Sequence, residues 1–365
     1  MKLTIHRDDL AAAVTWAARA VPQRPTTPIL AGVLITADND KVTVSGFDYD
    51  TSADATTSAD VAEPGRALVS GRLLAHVVAA LPAKPVEVAL TGTELELRCG
   101  GAEFALNTLP VEDYPTLPQP PAPLGQVDAA ALRTALAQVT PAASPDETLI
   151  MLTGVRIDID EHGLEMAATD RYRIAARRID WQPTTDSPAV GVVVPAKTLR
   201  DVGKHLHDGP VAVGADDALF SLTSGGRRMV TRLLDTEFVK YRNSFALLNA
   251  PHLARVDAAP LIEAIKRVTL VADKNTPVRL AFTGEQVEVS AGGGDLGRGN
   301  EAVPCTLDGT DEVAVSFMPQ FILDGLAGVP GDVATISMLE PHKPVLVTGD
   351  DDPTYRYVAM SLRQA

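Results

Sequence analysis

One order of elements occurs three times along the 365 residues, and any fold for this chain has to accommodate it. Each copy opens with a short strand running into an amphipathic helix. Leu3-Thr4-Ile5 precedes a helix from about Asp8 with Leu10, Val14, Ala17 and Val21 on one face. Asp128 precedes Leu132, Leu136 and Val139, and Asp257 precedes Leu261, Ile265 and Val268. This is the i, i+3/i+4, i+7 spacing of a half-buried helix. Asp8 and Asp9 suit the positive end of the first one. Alternating strands follow, turning at Asp38-Asn39-Asp40, at Asp160-Glu161-His162-Gly163 and at Gly284-Glu285, with Gly32 and Gly154 in matching places. A second helix follows in each copy, SGRLLAHVVAALP (70–82), PAKTLRDVGKHLH (195–207) and MPQFILDGLAGVP (318–330), entered from Val69, Val194 and Val315. Further alternating strands close each copy.

The fold class this pattern predicts is α+β, in three repeated domains. The run PTLPQPPAP (115–123) reads as a stiff extended connector, and Asn249-Ala250-Pro251 marks a second break. Boundaries are expected at 1–122, 123–250 and 251–365. Repetition by itself reports duplication and implies neither a ring nor a function. With 4% aromatic residues, the cores have to be built from Val, Leu, Ile and Ala.

Acidic residues outnumber basic ones 47 to 32, a formal charge of −15. A chain that grips nucleic acid through overall charge is basic, so DNA contact here requires local segregation of charge. Cys99 and Cys305 cannot form a disulfide framework and suggest a reducing compartment. No signal peptide or membrane span is legible, and a cytoplasmic protein without membrane partners is expected.

The words RPTTPIL (24–30), SGFDYDTSA (45–53), VEDYPTLP (111–118), AATDRYRIA (167–175), VPAKTL (194–199), LIEAIKRVTLVAD (261–273) and YVAMSLR (357–363) resemble the bacterial DNA sliding clamps, the β subunits of DNA polymerase III. The resemblance runs in order from Met1 to Arg363. It implies a head-to-tail homodimer whose six domains close a ring around duplex DNA, helices lining the hole and antiparallel sheets outside. The family carries out no chemistry of its own. It tethers the replicative polymerase, the clamp loader and repair polymerases through a clamp-binding peptide, and implies no cofactor.

Charge agrees with a DNA-lined hole. The six expected helices, roughly 7–19, 70–81, 128–140, 195–207, 260–272 and 316–327, carry nine bases (Arg7, Arg19, Arg72, Arg133, Lys197, Arg200, Lys204, Lys266, Arg267) against six acids, a sum of +3 that leaves −18 elsewhere. Lys197, Arg200 and Lys204 share one helical face; taken alone they read first as a solvated surface, and with the resemblance as DNA backbone contacts. Arg24 matches a loop that carries a DNA-contacting arginine in the family. Arg24, Arg72, Arg133, Lys197, Arg200, Lys204, Lys266 and Arg267 are therefore the candidate phosphate contacts.

The resemblance also implies a partner pocket between the second and third domains. One wall is Leu152, Thr169, Arg171, Tyr172, Arg173 and Ile174. The other is Val239, Ser244, Pro344, Val358, Met360, Ser361, Leu362 and Arg363, with Arg173 and Arg363 at the rim. Adaptable aliphatic side chains and Met suit a peptide anchor. Val239 and Ser361 stand where the family commonly has Pro, which frees φ and restores an N–H. Two alternatives follow: a specialised clamp whose pocket rejects a peptide antibiotic, or a clamp-like scaffold that binds partners without encircling DNA. The dimer seam implied by the family joins Phe104 and Leu106 to Thr269 and Leu270 of the other chain.

Other motifs carry little. Gly292 to Gly297 matches G-x-G-x-x-G but no helical periodicity follows, so a hairpin loop is expected. His205 and His207 lack further ligands, Asp350-Asp351-Asp352 reads as a turn, and no catalytic or metal site is expected.

Overall fold

The computed structural model describes residues 1–161, 163–184, 189–273, 276–294, 297–350 and 352–362, without the side chains of 246–249 and 293–294. Arg363, His162, Asp351, Asp295 and Leu296 lie outside the described residues.

Six α-helices occur among the described residues: α1 (Arg7–Ala17), α2 (Gly71–Ala80), α3 (Ala129–Val139), α4 (Ala196–Gly203), α5 (Ala258–Val268) and α6 (Pro319–Ala327). Each repeat supplies two, and the strands between them follow the expected order. The departures lie at helix ends, and the helix expected over 260–272 is one of them: it runs Ala258–Val268 and passes into a 3-10 turn over Thr269–Val271. The helix expected over 195–207 stops at Gly203, because the chain turns there towards the strand Pro210–Ala215 through Gly209 at φ +111°. The helix expected over 316–327 begins at Pro319, because Phe317 is still the fully buried end of a strand and Pro suits the first helical turn. The first hairpin turns on Asn39 and Asp40, both left-handed at φ +48° and +56°, the conformation a two-residue turn between twisted strands demands.

The chain forms two compact units. Met1–Ala129 and Leu206–Leu233, with a short segment from 183, hold one fourteen-stranded sheet; Ala130–Gln182, Ser187–His205 and Leu234–Ala365 hold a twelve-stranded sheet. The middle repeat is shared: five of its strands, from Pro123–Asp128 to Arg227–Arg232 and including the short Gln182–Pro183, belong to the first sheet, and four others, from Gly154–Asp160 to Val190–Pro195, belong to the second. In the first unit Arg227–Arg232 pairs antiparallel with Thr51–Ser58 of the first repeat, Met229 opposite Ala53. In the second unit Arg173–Ile179 pairs with Tyr355–Ala359 of the third repeat, Ala175 opposite Tyr357. These two main-chain seams join the repeats.

Helices cover one face of each sheet. Helix α1 packs on Lys41–Phe47 and Thr51–Ser58 and against α2; α5 packs on Gln286–Gly294 and Gly297–Asp308 and against α6. The approach of α1 is close enough that a Cβ on Gly46 would stand 2.2 Å from the Ala17 carbonyl oxygen. The matching positions in the other repeats are Ala168 and Ala291, so only the first repeat needs glycine here. Gly46→Ala is expected to lower stability by about 1–3 kcal/mol through overpacking, read as a lower urea midpoint at unchanged slope.

Candidate interaction sites

The second seam brings side chains of a loop and of two strands together, where the candidate groove is expected. After Thr169 the chain turns through Asp170, Arg171 and Tyr172, with Arg171 left-handed at φ +82°. The turn is held locally: Asp170 Oδ1 accepts the N–H groups of Tyr172 (3.0 Å) and Arg173 (3.1 Å), and Thr169 Oγ1 accepts that of Arg171 (3.2 Å). The Tyr172 ring, about half exposed, stacks on Phe321 of α6 with centroids 6.0 Å apart, and its carbonyl accepts the Met360 N–H at 2.8 Å. Leu152 and Val358 are buried, Ile174 half-buried, and Met360 and Val239 about 40% exposed. Ser244 and Pro344 are half-buried. Leu362 continues the edge by donating its N–H to the Ser316 carbonyl (2.8 Å), while Ser361 Oγ accepts the Ser316 N–H (3.4 Å), a contact proline could not make.

Arg173 was expected at the rim. Instead it is only 8% exposed and lies beneath the groove. Its guanidinium binds Asp170 (2.9 Å) and Asp324 of α6, donates to the Pro141 carbonyl (2.6 Å) and to Tyr357 Oη (3.4 Å), and stacks over Phe321 at 4.7 Å. Burial disfavours the cation, but Tyr357, Asp324 and Asp170 outweigh it and raise the Arg173 pKa, so it stays charged. The i, i+3 spacing of Asp170 and Arg173 hinted at this pair; Phe321, Asp324 and Tyr357 had no sequence signal.

A second polar cluster pins the segment that carries Val239 and Ser244. Glu165, 3% exposed, accepts from Tyr241 Oη (2.7 Å) and pairs with Arg178 (3.0 Å) and Arg356 (3.3 Å). Arg242 reaches Asp158 at 3.1 Å and Glu165 at 3.8 Å, and Arg156 holds Asp158 at 2.8 Å. Tyr241 and Phe245 pack there with Ala167, Ala176, Leu346 and Val358. Burial pushes the Glu165 pKa up, but Tyr241 and the arginines outweigh it and hold the group below the ordinary glutamate value.

The candidate phosphate contacts divide. Lys197 and Lys204 are exposed, although Lys204 caps α4 rather than extending its stripe. Arg200 bends to the Thr140 carbonyl at 2.5 Å. Arg72 donates to the Gln23 carbonyl (3.3 Å) and so steadies the loop that presents exposed Arg24. Arg133 is half-buried. Lys266 is paired with Glu263 (2.9 Å) and Arg267 with Glu301 (2.5 Å), which removes much of their attraction for phosphate.

Besides the outermost strands of the two sheets, two strand edges inside the strand order stay largely open among the described residues. Ala102–Leu109 pairs along one side with Glu94–Cys99, but on its other side only Thr108 and Leu109 find partners. Gly297–Asp308 pairs with Gln286–Gly294 from Gly297 to Pro304, but on its other side only from Cys305 onward. Phe104, 37% exposed, lies on the first open edge with Leu106 buried beneath it; Leu270, 81% exposed, and Thr269, which back-bonds to Ile265, follow α5 beside the second. Neither sheet offers these edges a partner.

Family models for the N-terminal, central and C-terminal domains of the DNA polymerase III beta subunit match residues 1–118, 126–240 and 249–363. The chain belongs to that family. It is 41% identical to the beta sliding clamp of Streptomyces coelicolor, covering 100% of this chain and 99% of that one. It is 35% identical, with the same coverage, to the beta sliding clamp homolog GriR of Streptomyces muensis. Its fold matches the crystal structure of the DNA polymerase sliding clamp from Bacillus subtilis over the whole of both chains, with a TM-score of 0.93 at 27% identity. Its function is that of a sliding clamp in DNA replication.

Because Arg173 is buried between two carboxylates, Arg173→Ala strands both and is expected to cost about 3–5 kcal/mol. Arg173→Lys, which keeps the charge but loses the fork, should recover only part of that in chemical denaturation.

Proposed function

We propose that two copies close head to tail through the open edges, with a register written in the repeats themselves. Hairpin pairing aligns Ala53, Ala175 and Gly299 as one position, and Met229, Tyr357 and Phe104 as another. Met229 faces Ala53 at the first seam and Tyr357 faces Ala175 at the second. The third pair, Phe104 opposite Gly299 of the other protomer, completes the series, and the strand residue on this side is small in all three. A Cβ on Gly299 would stand 2.9 Å from Val268, so Phe104 would lie over the end of α5 beside Thr269 and Leu270. This supports the homodimer and its interface residues.

The closed ring encircles duplex DNA and holds it without sequence preference. Lys197, Lys204, Arg24, Arg72, Arg200 and Arg133 are the phosphate contacts we favour, while Lys266 and Arg267 contribute less because of their acid partners. Weak, salt-sensitive contacts suit sliding, since retention is topological. Polymerases, the clamp loader and repair polymerases dock an apolar peptide in the groove over Leu152, Ile174 and Val358, against Tyr172, Met360 and Val239. The protein acts in the cytoplasm as a tether, without cofactor or reaction of its own. We take the three domains to be 1–122, 123–250 and 251–365. The higher identity to the Streptomyces coelicolor clamp than to GriR favours the ordinary replicative role over the specialised one.

The register is tested with Glu103→Cys and Asn300→Cys together, the pair that occupies the place where Arg228 and Asp54 meet at the first seam at 3.0 Å. A thiol cross-linker should give a covalent dimer from the double variant and none from either single one; a monomer at all concentrations overturns the ring. Loaded protein should survive a high-salt wash on circular plasmid and leave on linearisation, whereas equal loss from both overturns encirclement. Replacing Lys197 and Lys204 with Ala should lower the slope of log affinity against log salt by about 0.7–0.9 per residue on directly bound DNA.

A further inference from the structure

We infer that Glu165 is a positioning residue for the peptide groove: it fixes, through Tyr241 and Arg242, the segment that carries Val239 and Ser244. The inference rests on the groove being the partner site. The segment has no strand ladder of its own. After the Val239 carbonyl accepts the Tyr241 N–H at 2.8 Å, the chain runs as a 3-10 helix from Tyr241 to Asn249. Its hold on the sheet is therefore made by side chains.

Those side chains are of two kinds. Phe238, Tyr241 and Phe245 stack edge to face, with centroids 5.8 and 6.0 Å apart, on the apolar surface of Ala167, Ala176, Leu346 and Val358. Apolar contact of this kind is non-directional and tolerates sliding. The directional contacts all pass through two carboxylates. Glu165 takes the Tyr241 hydroxyl at 2.7 Å, and Asp158 takes the same hydroxyl at 3.2 Å and the Arg242 guanidinium at 3.1 Å. Arg356, tied to Glu165 at 3.3 Å, spreads its guanidinium over the Phe245 ring at 4.6 Å. The charged and titratable groups around Glu165 are Arg178 from the neighbouring strand and Arg356 from the strand beyond it, Tyr241 and Arg242 from the segment, with Asp158, Asp160 and Arg156 alongside.

A buried glutamate in mid-sheet costs free energy unless fully partnered, and an apolar side chain would cover this surface without that cost. What the carboxylate adds is a fixed address. It also lies four residues before Thr169 on the strand that leads into the groove, and Arg356 lies two before Val358. The latch therefore ties the Val239 lip to the two strands that make the groove floor.

The test uses full-length protein and a fluorescein-labelled peptide with adjacent Leu and Phe, matched to the aliphatic and aromatic walls. Glu165→Gln and Tyr241→Phe should each weaken binding about tenfold, close to 1.4 kcal/mol, and the double variant should be no weaker than the worse single one. Leu280→Ala, a fully buried core truncation away from the latch, should lower the melting temperature and leave peptide affinity unchanged. Amide exchange over residues 238–245 should rise in both latch variants and not in Leu280→Ala. Wild-type affinity in Glu165→Gln, or additive losses in the double variant, overturn the inference. Met360→Asp separates the two levels. If it abolishes binding while Glu165→Gln does not weaken it, only the latch fails; if Met360→Asp binds normally, the groove reading fails and the latch with it.

Discussion

An antiparallel strand edge with unpaired N–H and C=O groups needs a partner, and this requirement organises the molecule. Each repeat presents one edge on the last strand of its first hairpin set and another on its final strand. Thr51–Ser58 takes Arg227–Arg232, and Arg173–Ile179 takes Tyr355–Ala359. The middle repeat is therefore divided between two sheets. The same rule leaves Ala102–Asn107 and the first half of Gly297–Asp308 open, one edge at each end of the series. Repetition with antiparallel seams thus generates both continuous sheets and the demand for a second copy.

The two internal seams share a loop geometry but not a chemistry. Tyr49 and Arg171 occupy matching positions and both are left-handed, at φ +77° and +82°. Asp48 and Asp170 cap the two loops in the same way, each accepting two following N–H groups. Two residues past the left-handed position the copies diverge. Thr51 makes a single hydroxyl bond to Thr231 at 3.0 Å, whereas Arg173 collects two carboxylates, a carbonyl, a phenol and an aromatic face. The larger side chain props Phe321 beneath Tyr172 and gives the second seam its aromatic wall.

Charge is handled in the same local manner. The net −15 says little about any one surface, because many arginines are absorbed into pairs. Arg267 and Lys266, which look in sequence like a basic helix end, sit beside Glu301 and Glu263. Lys197 and Lys204 remain exposed. Residues far apart in the chain decide which cations stay available to phosphate, as Glu301 does for Arg267.

Much of the fold was legible in the residues. The threefold order, the helix positions and the hairpin turns depend on apolar period and turn chemistry, which act over a few residues. Family membership followed from ordered words such as AATDRYRIA and YVAMSLR. What could not be read was set by contacts across sequence distance. Helix α4 ends early because Gly203 leads into a turn, and Arg173 is buried because Asp324, Phe321 and Tyr357 arrive from another repeat. The role of Glu165 depends on arginines 13 and 191 residues away and on a tyrosine 76 residues away. The sequence by itself determined the repeating elements and the faces they bury, since those are properties of neighbouring residues. Only the tertiary structure decided which polar groups are paired, which are buried and which edges stay open, because hydrogen bonds and ion pairs are short-ranged in space and indifferent to separation along the chain.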